Sequence, residues 1–286
     1  MEYNTQQIQL VAVNLDGTLL RTDKSISKPD LETLTRLGNS GIIRVAATGR
    51  SLFKVRDVLP LSAPVDYVVF SSGTGIYDWK NQVLLHREFF TAKTTREIIA
   101  HLLAGSFNFF VYHPIPENNL FYYHRGAEPC NEFEHYLNYH KGDFQPLSGN
   151  DHKLIAGQIM SVIPNQTEKF ESLKAEIIAA CNNVKVIRTT SPVDDQFIWL
   201  EIFPDTVSKG HGIKWLCDLL KINYSHTVGI GNDYNDLDMF EFVSHPYVLH
   251  NGVEALKEKF NTVLATNEEN GLTQVIQKIM NEFNVG

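Results

Sequence analysis

Between residues 10 and 70 short apolar runs alternate with helical patterns, and few folds accommodate that alternation. Val11-Ala12-Val13 is a short apolar run rich in β-branched residues, which reads as a strand buried on both faces. Lys28-Pro29-Asp30 then opens a helix with Leu31, Leu34 and Leu37 on one face, and Asn39-Ser40-Gly41 closes it. Residues 42–47 read as a second strand, Leu52, Val55, Val58 and Leu59 as one face of a second helix, and residues 65–70 as a third strand. Strand, helix, strand, helix, strand in so short a span predicts an α/β fold built on a doubly wound parallel sheet. Residues 74–78 and 82–86 follow as a hairpin across Trp79-Lys80-Asn81.

The texture changes near Glu88. From there the chain is rich in Phe, Tyr and His, with helical patterns over 94–103, 128–140 and 167–180 and strand-like runs over 107–112, 120–123, 154–163 and 184–188. Residues 87–196 are therefore expected to form a separate α+β domain, inserted in a core made of residues 1–86 and 197–286, because the α/β pattern resumes afterwards. Residues 197–203 read as a strand leading back into that core, and Ser208 as the N-cap of the next helix. Residues 226–230 form another buried strand, ending in Gly231-Asn232-Asp233-Tyr234-Asn235-Asp236. Strands over 247–249 and 262–265 and helices over 253–260 and 271–283 complete the reading.

Several function classes drop out on composition. The formal net charge is -8 and no Lys/Arg stripe occurs, which excludes nucleic acid and anionic membranes as expected partners. No apolar run reaches membrane-spanning length, and the polar start Met1-Glu2-Tyr3-Asn4-Thr5-Gln6-Gln7 lacks the basic opening of a secretion signal, so a cytoplasmic protein is expected. Cys130, Cys181 and Cys217 are odd in number, widely spaced and outside any C-x-x-C pair, and read as thiols of a reducing compartment.

Four strand ends carry the chemistry. The first strand stops at Asn14, with Asp16 two residues on and a Gly17-Thr18 turn after it. The second runs into Thr48-Gly49-Arg50, a later turn carries Lys209-Gly210, and the last bears the Asn232 to Asp236 cluster. In a parallel sheet all strand ends lie along one edge, where ligands bind. Carboxylates of Asp16, Asp233 and Asp236 gathered with the Thr48 hydroxyl and the Lys209 ammonium suit a phosphoryl group and a hard cation such as Mg²⁺. Each residue also has a plain structural use: a solvated lysine, a capping threonine, turn aspartates, an ion-paired arginine. Their joint occurrence in one order favours the functional reading.

These motifs resemble those of haloacid dehalogenase (HAD) superfamily phosphatases of the Cof type, which carry a large inserted cap. The D-x-D-G-T-L motif stands as Asn14-Leu15-Asp16-Gly17-Thr18-Leu19, the second as Ala47-Thr48-Gly49-Arg50, the lysine motif as Val207-Ser208-Lys209-Gly210, and the acidic G-D-x-x-N-D motif as Gly231-Asn232-Asp233-Tyr234-Asn235-Asp236. The resemblance covers nearly the whole chain and implies a Rossmann-like core, a small phosphorylated metabolite such as a sugar phosphate as substrate, and Mg²⁺ as cofactor. It implies that residue 14 attacks phosphorus, that Asp16 protonates the leaving oxygen and then activates water, and that Thr48, Gly49, Lys209 and Asn235 hold the phosphate. The metal is then expected at residue 14, the Asp16 carbonyl and the acidic motif (Asn232, Asp233, Asp236). The cap is expected to close over the site and select the leaving group.

Two positions depart from the pattern. Asn14 stands where the nucleophilic aspartate is expected, and Asn232 replaces the first acidic residue of its motif, so the constellation loses two negative charges. Asp233 is the nearest substitute ligand if the turn rearranges. Three accounts compete: an asparagine introduced to trap a substrate complex, a natural relative that binds phosphorylated ligands with little or no turnover, and direct attack by water activated by Asp16. The first leaves Asn232 unexplained. Within the inserted segment His124, Arg125 and Asp194 are possible ligand contacts, and His135 and His140 read as a helix face.

Overall fold

A computed structural model of the chain describes residues 8–148, 153–191 and 195–283. In chain order the elements are β1 (Leu10–Asn14), α1 (Lys28–Asn39), β2 (Ile43–Ala47), α2 (Leu52–Val58), β3 (Tyr67–Phe70), β4 (Gly75–Asp78), β5 (Val83–Arg87), α3 (Ala92–Ala104), β6 (Phe109–Tyr112), β7 (Phe121–His124), α4 (Asn131–Tyr139), β8 (Phe144–Pro146), β9 (Gln158–Pro164), α5 (Thr167–Ala180), β10 (Val184–Thr190), β11 (Phe197–Pro204), α6 (Lys209–Leu220), β12 (Thr227–Gly231), α7 (Leu237–Phe242), β13 (His245–Val248), α8 (Glu254–Lys257), β14 (Asn261–Thr262) and α9 (Gly271–Phe283). They fall into two units, residues 1–86 with 208–286 and residues 87–207.

The first unit holds an eight-stranded sheet in the order β14-β13-β12-β1-β2-β3-β4-β5. From β14 to β3 every pairing is parallel, and β4 turns back antiparallel to β3. Every residue of β1 is buried, as its unbroken apolar run demands. Leu10 and Ala12 face a core with Val45, Ala47 and Val69 from the neighbouring strands, covered by Ile213, Leu216 and Cys217 of α6 and by Met239 and Phe240 of α7. Val11 and Val13 alternate to the other face and are buried there as well. Helix α1 packs on β2 and on α9. Ser27 caps α1 by accepting from the Asp30 amide, and the buried Asp30 carboxylate accepts in turn from the Thr273 amide and hydroxyl, which ties the start of α1 to α9.

β1 lies between β2 and β12, and the chain leaves it in opposite directions: to β2 and β3 on one side, to β12 and β13 on the other. That makes the carboxyl end of β1 a topological switch point. The register sets what meets there. Asn14 pairs with Ala47, the residue before Thr48, and Val13 pairs with Ile230, which brings Gly231 and Asn232 alongside Asn14.

The second unit is an α+β unit around a six-stranded sheet ordered β10-β11-β9-β6-β7-β8. All its pairings are antiparallel except β7 with β8. Ile98 and Leu102 of α3 and Phe170, Leu173 and Ile177 of α5 pack on one side of its core. Phe110, Phe121 and Phe133 form an aromatic cluster on Tyr112 and Tyr136, whose hydroxyls are 2.8 Å apart.

This corrects the expected boundary at residues 196 and 197. β11 does not lead back into the first sheet; it pairs with β10 and β9 over its length, so the chain re-enters the first unit at Ser208. A strand's alternation states that it has an inner face, not which sheet that face belongs to. The three-residue strand β8 is too short to carry a periodic signal in the sequence.

Candidate functional site

The site is assembled on the carboxyl ends of β1, β2 and β12 and on the amino end of α6. Asn14 ends β1 and is 4% exposed. Gly17, with φ +66°, starts the turn that follows; a Cβ there would lie 2.5 Å from Nδ2 of Asn232, so the close approach of that turn to the β12 loop requires glycine. Thr48 follows β2, is fully buried, and its Oγ1 accepts the Arg50 amide at 3.1 Å. Ser208 caps α6 by accepting the His211 amide, which places Lys209 at the first helical position. Gly73, with φ +101°, lets the turn after β3 back onto that cap, because a Cβ on it would meet the Ser208 carbonyl at 2.2 Å. Asp233 caps the single helical turn over Tyr234–Asp236, and Asp236 reaches back to its start.

Lys209 is the hub. It has no exposed surface, and its ammonium donates to Asp236 Oδ1 at 2.7 Å, Asn235 Oδ1 at 2.8 Å and Asn14 Oδ1 at 3.2 Å. The second Asp236 oxygen accepts the Asn232 and Asp233 amides at 2.9 and 3.0 Å. A buried charge needs such full pairing, since losing one partner leaves the other uncompensated. Asn235 also faces the Thr48-Gly49 turn: its Nδ2 stands 3.5 Å from where a Cβ of Gly49 would be. The expectation that lysine 209 could be a solvated surface residue is thus excluded.

The amides at 14 and 232 meet. Asn14 Nδ2 donates to the Asp16 carbonyl at 2.9 Å and to Asn232 Oδ1 at 3.0 Å, and Thr18 Oγ1 donates to the same Oδ1 at 2.8 Å. The chemistry of the partners fixes both orientations. An ammonium can only donate, so the Asn14 oxygen faces Lys209; a carbonyl can only accept, so its nitrogen faces Asp16.

Asp16 stands apart in its side chain, which is 42% exposed. Arg50 grips it with two hydrogen bonds of 2.6 Å, and Lys24 adds a third at 3.2 Å. Burial acts to raise its pKa, but the Arg50 guanidinium and the Lys24 ammonium outweigh that and hold the carboxyl below its usual value. Arg50 therefore serves as an ion-pair partner here.

All the residues proposed from the sequence within the first unit lie in or beside this network. Asp233 differs from the expectation: its carboxylate accepts the Tyr234 amide and the turn keeps its ordinary form, so no rearrangement brings it into the place vacated at 232. Three contributors were missed. Thr18 was visible within its motif, and Asn251, which donates to the Gly17 carbonyl at 2.8 Å, lay in an Asn-Gly turn signal. Lys24 carried no signal. In the second unit Arg125 is paired with Glu134 through two hydrogen bonds, and His124 stacks at 5.2 Å on Phe109, its pKa lowered by burial. His140 packs on Tyr136 at 4.3 Å. Asp194 lies outside the described residues.

Comparison with known proteins agrees with this architecture. The profile of a family described as haloacid dehalogenase-like hydrolase matches residues 11–276. The 5-amino-6-(5-phospho-D-ribitylamino)uracil phosphatase YwtE of Bacillus subtilis is 25% identical over 289 residues, covering 96% of this chain and 98% of the relative. The phosphatase YwpJ of the same organism is 23% identical, covering 96% of this chain and 100% of the relative. Among solved structures, a HAD superfamily phosphatase from Bacteroides thetaiotaomicron superimposes with a TM-score of 0.78 at 16% identity, over 100% of this chain and 98% of the other. A HAD subclass IIB sugar phosphatase does so with a TM-score of 0.72 at 15% identity, over 97% of this chain and 100% of the other. At these identities the structural likeness carries the fold.

Proposed function

The chain belongs to the haloacid dehalogenase-like hydrolase family, and on that premise we propose that it takes the phosphate group of small phosphorylated metabolites, sugar phosphates among them, and hydrolyses them poorly. The observation that carries this reading is the state of Asn14. Its amide sits in the nucleophile's place at the end of β1, with its oxygen already accepting from Lys209. A carboxylate oxygen attacking phosphorus yields a neutral acyl phosphate linkage with the proton balance unchanged. An amide oxygen has no charge to give, and its attack would leave a cationic imidate beside the Lys209 ammonium. Asp16, held anionic by Arg50 and Lys24, is poorly suited to donate a proton to a leaving oxygen, and the same two cations make it a weak base toward water.

The binding half of the site supports phosphate recognition. Lys209 brings positive charge, Thr48 a hydroxyl, Asn235 an amide, and the amino end of α6 its backbone dipole. The substrate class is supported by the relatives, one named for a phosphorylated ribityl compound and one structural neighbour for sugar phosphates. The inserted α+β unit fits the role of a cap that selects the leaving group.

The magnesium ion that family membership implies fits these residues badly. No formal charge stands at 14 or 232, both Asp236 oxygens are engaged by Lys209 and two backbone amides, and no cluster of three acidic, His or Cys groups that could hold a metal occurs among the described residues. No buried polar atom of Asn14 or Asp236 is left without a partner, so neither side chain is held open for a cation. The paired amides favour a second reading as well, a ligand-binding protein with no turnover at all.

Phosphate release from a panel of sugar phosphates decides between them. Asn14→Asp with Asn232→Asp, assayed with Mg²⁺, is expected to release phosphate at least about a hundredfold faster than the unaltered chain, since restoring a missing nucleophile commonly returns that much or more. Equal rates would refute the claim that residue 14 limits the chemistry. Release from the unaltered chain that is measurable and abolished by Asn14→Ala would favour poor hydrolysis over pure binding.

A further inference from the structure

We propose that the Asn14 amide has taken the divalent cation's place, so that this site takes up no Mg²⁺ and holds a phosphate monoester without one. The inference rests on the phosphate-binding reading above and deepens it.

Three groups that would face a cation in this fold are the side chain of residue 14, the carbonyl of Asp16 and the side chain of residue 232. Here they are bonded to one another. The Asn14 NH₂ stands between the Asp16 carbonyl and Asn232 Oδ1, at 2.9 and 3.0 Å. Its two protons supply the positive charge density that the two oxygens need, in the space a cation would occupy. Thr18 holds Asn232 in the matching orientation, with its oxygen toward Asn14.

The arrangement also resists a cation. Mg²⁺ requires oxygen ligands at about 2.1 Å in octahedral geometry. Asn14 can offer an oxygen there only by turning its amide over. That turn aims Nδ2 at the Lys209 ammonium, donor against donor. An aspartate has no such conflict, since one oxygen accepts from Lys209 while the other meets the metal. The asparagine is thus incompatible with a cation through its nitrogen, not merely weak through its lost charge.

Charge bookkeeping favours the two amides occurring together. Two carboxylates and one divalent cation sum to zero; two amides without the cation also sum to zero. A phosphate arriving at Lys209, Thr48 and Asn235 meets the same net charge either way. One exchange alone would leave the site unbalanced by one unit in either direction. This accounts for Asn232, which an isolated change at position 14 leaves unexplained.

The test is a set of calorimetric titrations on the full chain, with Mn²⁺ electron paramagnetic resonance as a second readout. Mg²⁺ and Mn²⁺ alone are expected to show no saturable binding to the unaltered chain at millimolar concentration, and clear binding to Asn14→Asp/Asn232→Asp. Inorganic phosphate is expected to bind the unaltered chain with an affinity that differs less than about twofold between EDTA and Mg²⁺ buffers, a factor small against the tenfold that 1.4 kcal/mol represents. Saturable Mn²⁺ binding to the unaltered chain, removed by Asn14→Ala, would overturn the proposal, as would phosphate binding that requires Mg²⁺. Should the double variant fail to fold, the Mn²⁺ spectrum of the unaltered chain decides alone. Absence of phosphate binding in both buffers would defeat the phosphate-binding reading and the second half of this proposal, while the metal titration still decides the first half.

Discussion

An amide and a carboxylate are nearly the same shape, so Asn14 occupies the end of β1 without disturbing the fold around it. What changes is the character of one atom: where a carboxylate has an oxygen that can only accept, Asn14 has an NH₂ that donates to the Asp16 carbonyl and to Asn232. Arg50 and Lys24 close on the carboxylate of Asp16. Its pKa is lowered in the folded chain, so the stability it contributes is present above the ordinary carboxylate value of about 4 and is lost as the pH falls through the folded value. Thermal melts of the chain and of Asp16→Asn between pH 3 and 7 check this. The difference in their midpoints is expected to hold at pH 7 and to shrink below pH 4; a difference that persists unchanged to pH 3 would contradict it. The four motifs were legible residue by residue, three because each pairs a strand end with a turn and the lysine motif because Ser208 caps the helix that Lys209 begins. The amide orientations and the Lys24 contact were not, because they depend on which atoms face each other across more than two hundred residues of chain or on a turn without a sequence signal.

At the scale of elements, the site depends on a frame that holds β1 and its flanking helices in register. The Ser27, Asp30 and Thr273 cluster is one joint of that frame: Asp30 accepts from the Ser27 hydroxyl and from Thr273 twice, all of it buried. Asp30→Ala removes the acceptor and leaves those donors unsatisfied, which is expected to lower stability by about 2–3 kcal/mol. Urea unfolding measures it, with an unchanged midpoint as the contrary result. Helices such as α5 and α9 emerged from the sequence with their observed limits because their apolar stripes run several turns. β11 did not emerge in its proper sheet. Its partners β9 and β10 are chosen by non-local packing, and its period-2 pattern fits either sheet.

At the scale of the molecule, two units divide the labour. One carries the parallel sheet and the strand-end network, the other an antiparallel sheet with its own aromatic and aliphatic cores. Each contains at least one of the three cysteines, and all three are buried in apolar surroundings; burial pushes the Cys217 thiol up to about 11. A folded chain is therefore expected to leave all three unreacted with a disulfide reagent at neutral pH and to expose them together with unfolding. Rapid labelling of any one in native buffer would contradict the burial described here. No helix among the described residues is long and apolar enough to cross a membrane.

On the proposed reading, the phosphate-holding half of the site survives while the bond-cutting half does not. Phosphorus NMR of sugar phosphates mixed with an equimolar amount of the chain reads both halves in one sample. At least one ester resonance is expected to shift or broaden on mixing, while the inorganic phosphate resonance grows far more slowly than with Asn14→Asp/Asn232→Asp. Ester resonances untouched across the panel, or inorganic phosphate appearing as fast as with that variant, would contradict it.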